Sequence, residues 1–145
     1  MPIHGDGGHA KVVRELVLAP ADGWIIAVGD NATRQKESRR YTEFAVAIHP
    51  SAIVSPTAKI GEGTVIMAGA IVQANAKVGK HVILNTNCSV DHGCVIGNFA
   101  HIAPGVHLCG GVRVGDGALV GVGSSAVPGA VVPSWVIVPA GSVIR

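Results

Sequence analysis

The sequence predicts a parallel β-helix, a fold in which short strands wind into stacked coils. From Val54 to Ile144 an aliphatic residue recurs at every sixth position, without an insertion. Four positions after each of them, from Ala58 to Ser142, stands a small or β-branched residue. A period of six is neither the 3.6-residue period of a helix nor the alternation of an ordinary strand, and hexapeptide repeats are typical of β-helices.

Three hexads complete one triangular coil, so residues 54 to 143 make five coils of eighteen residues. We expect the aliphatic residues to point into the coil and stack on one another, with their small partners near the corners. Glycines that follow the aliphatic positions, such as Gly61 and Gly79, allow tight bends. A low-complexity tract is the alternative, but such tracts lack a strict period.

Residues 1–50 do not follow this count and predict a small α/β domain in front of the β-helix domain, which occupies 51–145. The expected elements are a strand at 2–4, a helix at 10–18, a turn at 18–23, a strand at 24–28, a helix at 32–41 and a strand at 44–48. The apolar side of the first helix is predicted to consist of Val12, Val13, Leu16 and Val17. The glycine-rich turn before this helix offers free backbone N–H groups to phosphate, although its pattern alone is a weak signal.

Composition narrows the classes of partner. The formal net charge of +2 is too mild to indicate nucleic acid or an anionic membrane surface as the ligand. No charged residue occurs between Gly117 and Ile144, yet three prolines and the continuing six-residue period argue against a membrane span. We therefore expect this apolar stretch to be buried against partner chains.

Cysteine usage predicts a reducing compartment. Cys88 and Cys94 fall at the small positions of the repeat, where they serve as core residues rather than as disulfide partners. The first residues, MPIHGDGG, lack the basic and then apolar pattern of a signal peptide. We therefore expect a cytoplasmic protein.

Four segments of the chain carry a resemblance to a known family. They read GDGGHAKVV (5–13), WIIAVGDNATR (24–34), IHPSAIVSPTAKIGEGTVIMAGAIV (48–72) and LNTNCSVDHGCVIGNFAHIAPGVHLCGGVRVGDGALVGVGSSAVPGAVV (84–132). The chain resembles the acetyl-CoA-dependent sugar acetyltransferases of the sialic-acid O-acetyltransferase type, which include bacterial N-acetyltransferases acting on UDP-4-amino-4,6-dideoxysugars. The resemblance implies a left-handed β-helix, a homotrimer, and a Rossmann-like N-terminal domain, here shortened, that holds the nucleotide-sugar.

The resemblance also implies site residues. His92, in the segment VDH, would be the general base, and acetyl-CoA would serve as the acetyl donor without any metal. The residues expected to contact the coenzyme are His101, Gly110, Val122 and Ala140. Those expected to contact the nucleotide-sugar are Gly7, Gly8, His9 and Gly29.

One departure from the family pattern stands next to the predicted base. Relatives often carry an acidic residue directly after the catalytic histidine, whereas this chain has Gly93. The predicted activity is acetyl transfer to an amine, or to a hydroxyl, of a nucleotide-activated sugar. The alternative is a truncated trimeric β-helix that is a weakly active or inert scaffold.

The coil histidines are His81, His92, His101 and His107, and none falls at an inward position of the repeat. We expect all of them to point outward or to lie at corners, with His81 and His107 as solvated surface residues. His92 and His101 are half a coil apart, so two neighbouring chains are needed to unite them in one site. The separations of 11, 9 and 6 residues do not match the zinc-binding histidines of β-helical carbonic anhydrases, so no metal site is expected.

Overall fold

Residues 1–16 and 22–145 are described in a computed structural model. From Ala47 onward the chain forms a left-handed parallel β-helix with three faces, each a parallel sheet. The first face consists of β4 (Ile53–Val54), β7 (Ile71–Val72), β10 (Ser89–Val90), β13 (His107–Leu108), β16 (Ser125–Ala126) and β19 (Val143–Ile144). The second face consists of β5 (Lys59–Ile60), β8 (Lys77–Val78), β11 (Val95–Ile96), β14 (Arg113–Val114) and β17 (Val131–Val132). The third face consists of β3 (Ala47–Ile48), β6 (Val65–Ile66), β9 (Ile83–Leu84), β12 (His101–Ile102), β15 (Leu119–Val120) and β18 (Ile137–Val138).

The register of these strands confirms the predicted coils. Val54 pairs with Val72 and Val72 with Val90, so neighbouring strands of a face lie one eighteen-residue turn apart. The inward aliphatic residues from Ile66 to Val132 are at most 5% exposed, and those at the two ends of the stack are partly buried. Burial of each large aliphatic side chain stabilises the fold by roughly 1.5–3 kcal/mol as an upper estimate, so these residues form the main core.

Turns join the faces at three edges of the prism. The first edge joins the first and second faces (residues 91–94 in the third coil), the second edge joins the second and third faces (97–100), and the third edge joins the third and first faces (103–106). From Gly63 onward each turn contains a residue with left-handed backbone, and this residue is often glycine, such as Gly93 with φ of 66°. Asn75, one coil earlier on the same edge, shows that other residues also adopt this conformation.

The N-terminal unit is a small α/β layer that packs on the third face. Its elements are β1 (Ile3–His4), α1 (Gly8–Leu16), β2 (Ile25–Ile26) and α2 (Asn31–Ser38), and β1 pairs with β2 in parallel. Its buried residues Ala10, Val13 and Ile25 form one cluster with Val65 and Ile83 of the third face. The predicted order of strands and helices is therefore present, and its last strand, β3, is built into the β-helix by pairing with β6.

Details of the N-terminal prediction differ from the structure. Helix α1 begins at Gly8 rather than at Ala10, and α2 ends at Ser38 rather than at Tyr41. Val13 is buried as expected, but Val12 is 43% exposed. The prediction for Val12 was wrong because a short surface helix buries one stripe, here Ala10 and Val13 three residues apart, and Val12 lies about 100° away from Val13.

Part of that prediction lies outside the described residues. This applies to Val17, to the side chain of Leu16 and to most of the expected turn at 18–23.

Polar contacts fix the N-terminal unit to the second edge of the prism. Arg34 of α2 is 1% exposed, and its Nε donates to the carbonyl oxygen of His81 at 2.8 Å. One of its Nη atoms donates to the carbonyl of Phe99 at 2.7 Å. In the next coil, the Asn31 side chain donates to the carbonyl of Gly117 at 2.9 Å. Helix α2 therefore donates hydrogen bonds to a row of turn carbonyls. Burial lowers the pKa of Arg34 to about 10, which leaves its side chain charged at neutral pH.

His81 corrects one of the sequence predictions. It is 4% exposed, with its ring edge-on to Phe44 at 4.4 Å between centroids and stacked on Phe99 at 5.0 Å. The expectation of a solvated surface residue was wrong because the N-terminal unit covers this edge. The expectation for His107 is confirmed: it is exposed on the first face, where Nδ1 lies 2.7 Å from the hydroxyl of Ser89.

Candidate functional site

The predicted nucleotide-sugar residues lie together. Gly7, Gly8, His9 and Gly29 all line one pocket of about 350 Å³ at the carboxyl ends of β1 and β2. The turn before α1 requires glycine, because a Cβ at Gly5, where φ is 131°, would lie 2.5 Å from the carbonyl oxygen of Ala27. The pocket is thus formed where β1 and β2 come close and the chain turns into α1.

Electrostatics at this pocket suit an anion. Helix α1 points its N-terminus here and has no acidic residue in its first turn, so its free N–H groups are not neutralised from within the helix. A Cβ at Gly7 or Gly8 would meet no atom within 4 Å, which leaves the backbone open to a ligand. Asp6 also lines the pocket and would have to face away from a phosphate.

His9 has a buried polar atom without a partner in the described structure. Its Nε2 makes no hydrogen bond. Burial, and secondarily the charge of Arg34, lower the pKa of His9 to about 4, so the ring is neutral at neutral pH. A buried imidazole nitrogen left unpaired is uncommon in folded proteins.

A second pocket of about 210 Å³ lies at the junction of the two units. One wall comes from the start of α2, including Gly29 and Asn31, and the other from the β-helix, including His101, Leu119 and Trp135. Because Gly29 lines both pockets, they are neighbours. A ligand whose charged end lies at α1 could therefore extend toward His101.

The side chain of His101 is held in one tautomer. Asn85 Oδ1 accepts from the backbone N–H of Thr86 at 2.8 Å, so its amide nitrogen faces His101 Nε2 at 3.0 Å. The amide can only donate, so Nε2 accepts and the proton resides on Nδ1. Burial, followed by the charges of Arg34 and His9, lowers the pKa of His101 to about 4. His101 is therefore neutral at neutral pH, and its Nε2 is hydrogen-bonded to Asn85.

His92 lies at the first edge and is exposed to solvent. Its backbone N–H donates to the carboxylate of Asp91 at 2.7 Å, and its carbonyl accepts from the N–H of Gly111 at 3.0 Å. Its ring lies against Gly110 of the next coil, where a Cβ would be 2.5 Å from both Cε1 and Nε2. The structure therefore brings the predicted base and one predicted coenzyme residue together.

The other predicted coenzyme residues lie elsewhere on the prism. Val122 and Ala140 occupy successive turns of the third edge, linked by the N–H of Gly141 donating to the carbonyl of Val122 at 2.8 Å. His101 lies on the third face, which is opposite the first edge in a three-sided prism. One chain therefore does not unite His92 with His101.

Sequence reasoning missed three residues of these sites: Asn85, Asn31 and Arg34. Asn85 could have been found, because the eighteen-residue register pairs Ile83 with His101 and places Asn85 two residues further on the same outward side. Nothing in the helical segment separates Arg34 from the other basic residues nearby, since its role depends on carbonyls far along the chain.

Two further observations on the described residues concern metal ions and membranes. Within residues 1–16 and 22–145, no group of three or more His, Cys, Asp or Glu side chains is arranged to hold a metal ion. Neither α1 nor α2, the helices in the described part of the chain, is long and apolar enough to cross a membrane.

Known proteins resemble this chain in sequence and in structure. The family described as bacterial transferase hexapeptide (six repeats) matches residues 57–92. The acetyltransferase domain of PglB from Neisseria gonorrhoeae is 33% identical, with a TM-score of 0.93 over 99% of this chain and 90% of that domain. PerB from Caulobacter crescentus, solved with CoA and GDP-perosamine, is 36% identical, with a TM-score of 0.93 over 99% of this chain and 87% of PerB. This chain belongs to the hexapeptide-repeat sugar N-acetyltransferase family.

Other members of this family add information about ligands. The same PglB domain has been solved with acetyl coenzyme A, and it is 33% identical to this chain, with a TM-score of 0.92 over 97% of this chain and 87% of that domain. Two variants of the Caulobacter crescentus enzyme, in which one histidine is replaced by asparagine or alanine, were solved with CoA and GDP-perosamine.

A curated relative, UDP-N-acetylbacillosamine N-acetyltransferase from Bacillus subtilis, is 39% identical over 43% of this chain and 48% of the relative. The match thus spans about half the length of that relative.

Proposed function

We propose that this chain transfers the acetyl group of acetyl-CoA to the amine of a nucleotide-activated amino sugar, with a UDP-4-amino-4,6-dideoxysugar as the acceptor. The observation that carries the proposal is the match over 99% of the chain to an enzyme solved with both CoA and a nucleotide-linked amino sugar. The pocket at the start of α1, with its open glycines, supports the nucleotide-sugar part.

In the proposed reaction, the amine attacks the thioester carbonyl carbon, a C–N bond forms and the C–S bond breaks. His92 accepts the proton that the amine loses and returns a proton to the departing thiolate of CoA, so no covalent enzyme intermediate forms. Exposure of the imidazole at an edge of the prism supports this role, because a base must reach its substrate. Backbone N–H groups would stabilise the oxyanion.

We also propose which residues bind the two substrates. Gly7, Gly8, His9 and Gly29 hold the diphosphate of the nucleotide-sugar, and acetyl-CoA contacts His101, Gly110, Val122 and Ala140. These coenzyme residues are spread over two edges and one face, so the site is shared between chains of a homotrimer. We place the reaction in the cytoplasm, in keeping with the buried free thiols of Cys88 and Cys94.

The test is release of free thiol from acetyl-CoA in the presence of UDP- and GDP-linked amino sugars. We expect at least one acceptor to be acetylated, and His92→Ala to lower kcat by about 10²–10⁴-fold with coenzyme binding retained. His107→Ala is the matched control, because it removes an exposed histidine from the first face. Parental activity in His92→Ala would contradict the assignment of the base. Absence of transfer to every acceptor would favour the alternative, an inert trimeric scaffold, for which the lack of a carboxylate at Gly93 is the supporting observation.

A further inference from the structure

One turn of the first edge, one coil after His92, has a glycine where the other turns of this edge carry a side chain. Pro56, Ala74, His92, Gly110 and Pro128 occupy the same place in successive turns of the first edge, eighteen residues apart. Apart from Gly110, every one of them carries a Cβ. Gly110 also lacks the left-handed backbone that would favour glycine, whereas its neighbour Gly111 has φ of 71°. The backbone at position 110 therefore does not by itself require glycine.

The imidazole of His92 accounts for the missing side chain at position 110. A Cβ at position 110 would lie 2.5 Å from Cε1 and Nε2 of His92, closer than side-chain atoms approach, and 3.3 Å from Cδ2. The ring thus occupies the space that a side chain at 110 would fill. Its nearest atoms include Nε2, one of the two nitrogens that can exchange a proton.

Other contacts hold the backbone of His92 but not its ring. Asp91 accepts from the His92 N–H, and Gly111 donates to the His92 carbonyl. With the backbone held on both sides, the side chain keeps its rotamer freedom unless a neighbour limits it. The surface of Gly110 is one such neighbour, because the ring lies where a Cβ at position 110 would be.

We infer that Gly110 is a positioning residue for His92, and that its missing side chain seats the imidazole in the orientation that proton transfer needs. The inference rests on the proposed function, because it gives the contact a meaning only if His92 is the base. This role differs from a coenzyme contact at Gly110, because it acts through the position of the His92 side chain. A displacement of about 1 Å at a reacting group can lower a rate by about 10²-fold.

The experiment is a double-mutant cycle on the full chain with one accepted amino sugar. The four proteins are the parent, Gly110→Ala, His92→Ala and the double variant. We expect Gly110→Ala to lower kcat by about 10²-fold, while the proposed coenzyme contact, which a glycine can make only through its backbone, keeps the Kd for CoA unchanged. In the His92→Ala background the same change should have no further effect, because the ring that it displaces is gone.

Melting temperatures provide a readout that is independent of catalysis. Alanine at a compatible backbone position stabilises a fold by restricting the unfolded chain. Gly110→Ala should therefore raise the Tm of the His92→Ala protein and should not raise that of the parent, where the ring must move. Pro128→Ala, in the same turn position one coil beyond Gly110, is the control, and it should leave kcat at the parental value.

The outcomes separate the inference from the proposed function. Parental kcat in Gly110→Ala would overturn the inference. Equal weakening of CoA binding by Gly110→Ala in both backgrounds would also overturn it, because the glycine would then act on the coenzyme. Parental activity in His92→Ala would instead contradict the proposed role of His92 as the base, and with it the catalytic role of the contact, whatever the melting temperatures show.

Discussion

At the residue scale, Gly93 stands where the resemblance implies an acidic residue after the predicted base. Gly93 has left-handed backbone with φ of 66°, and a Cβ placed on it would meet no atom within 4 Å. The space for a larger side chain is therefore present, and the left-handed backbone is the cost of filling it. Asn75, with φ of 59° in the turn one coil earlier, shows that this turn accommodates a side chain.

We predict that Gly93→Glu raises kcat/KM at neutral pH by a few-fold. A carboxylate beside His92 favours the imidazolium and so strengthens the base. The left-handed conformation should destabilise the variant by about 1–2 kcal/mol. Gly93→Gln is the matched control, because it has the same backbone cost without the charge. Equal kcat/KM values for the Glu and Gln variants would show that the carboxylate has no effect.

At the element scale, α2 and the second edge form one buried polar and aromatic layer. Arg34 binds turn carbonyls, and His81 lies between Phe44 and Phe99 with its Nδ1 unpaired. Burial is the main cause that lowers the pKa of His81 to about 4, followed by the positive charge of Arg34. The smaller effects of Glu62 and Lys80 oppose each other. This layer is stable while His81 is neutral.

We predict that the Tm falls as the pH is lowered from about 6.5 to 4. The folded-state pKa of His81 is depressed, so its stabilising effect is complete above the unfolded value of 6.5 and is lost as the pH falls toward 4. His9 and His101, whose pKa values are also lowered to about 4, add to the same trend. His81→Phe, which copies Phe99 at the same turn position one coil later, should lose less Tm over this range. An equal loss in both proteins would contradict the role of His81.

At the scale of the whole molecule, a single chain exposes apolar side chains and keeps two predicted site histidines apart. Several side chains of the last coil are apolar and exposed, including Val131 at 60%, Ile137 at 72% and Val143 at 58%. His92 and His101 lie on opposite sides of the prism. Both observations favour the predicted homotrimer, in which neighbouring chains would cover the apolar surface and complete each site.

We predict that two inactive variants restore activity to each other. If a site takes His92 from one chain and His101 from the next, co-expressed His92→Ala and His101→Ala chains should recover about a quarter of the parental activity by random assembly. Each variant alone should remain close to inactive. Mixed trimers verified by mass spectrometry that show no recovery would contradict a site shared by His92 and His101 of neighbouring chains. Sedimentation as a monomer at micromolar concentration would contradict the trimer itself.

The sequence by itself determined the coils, because both constraints that shape them are local and periodic. An aliphatic residue every six positions sets the inward side, and three such hexads set the register that pairs Val54 with Val72. The grouping of Gly7, Gly8, His9 and Gly29 also followed from the sequence through the resemblance.

Only the tertiary structure decided the chemistry of the other side chains. Arg34 meets carbonyls 47 and 65 residues away, and Asn31 meets one 86 residues away. Three other properties likewise depend on neighbouring coils or on the N-terminal unit. They are the burial of His81, the tautomer of His101 and the contact between His92 and Gly110. The hexad pattern does not predict these contacts, because the period specifies which residues point inward and not which groups cover the outside of the prism.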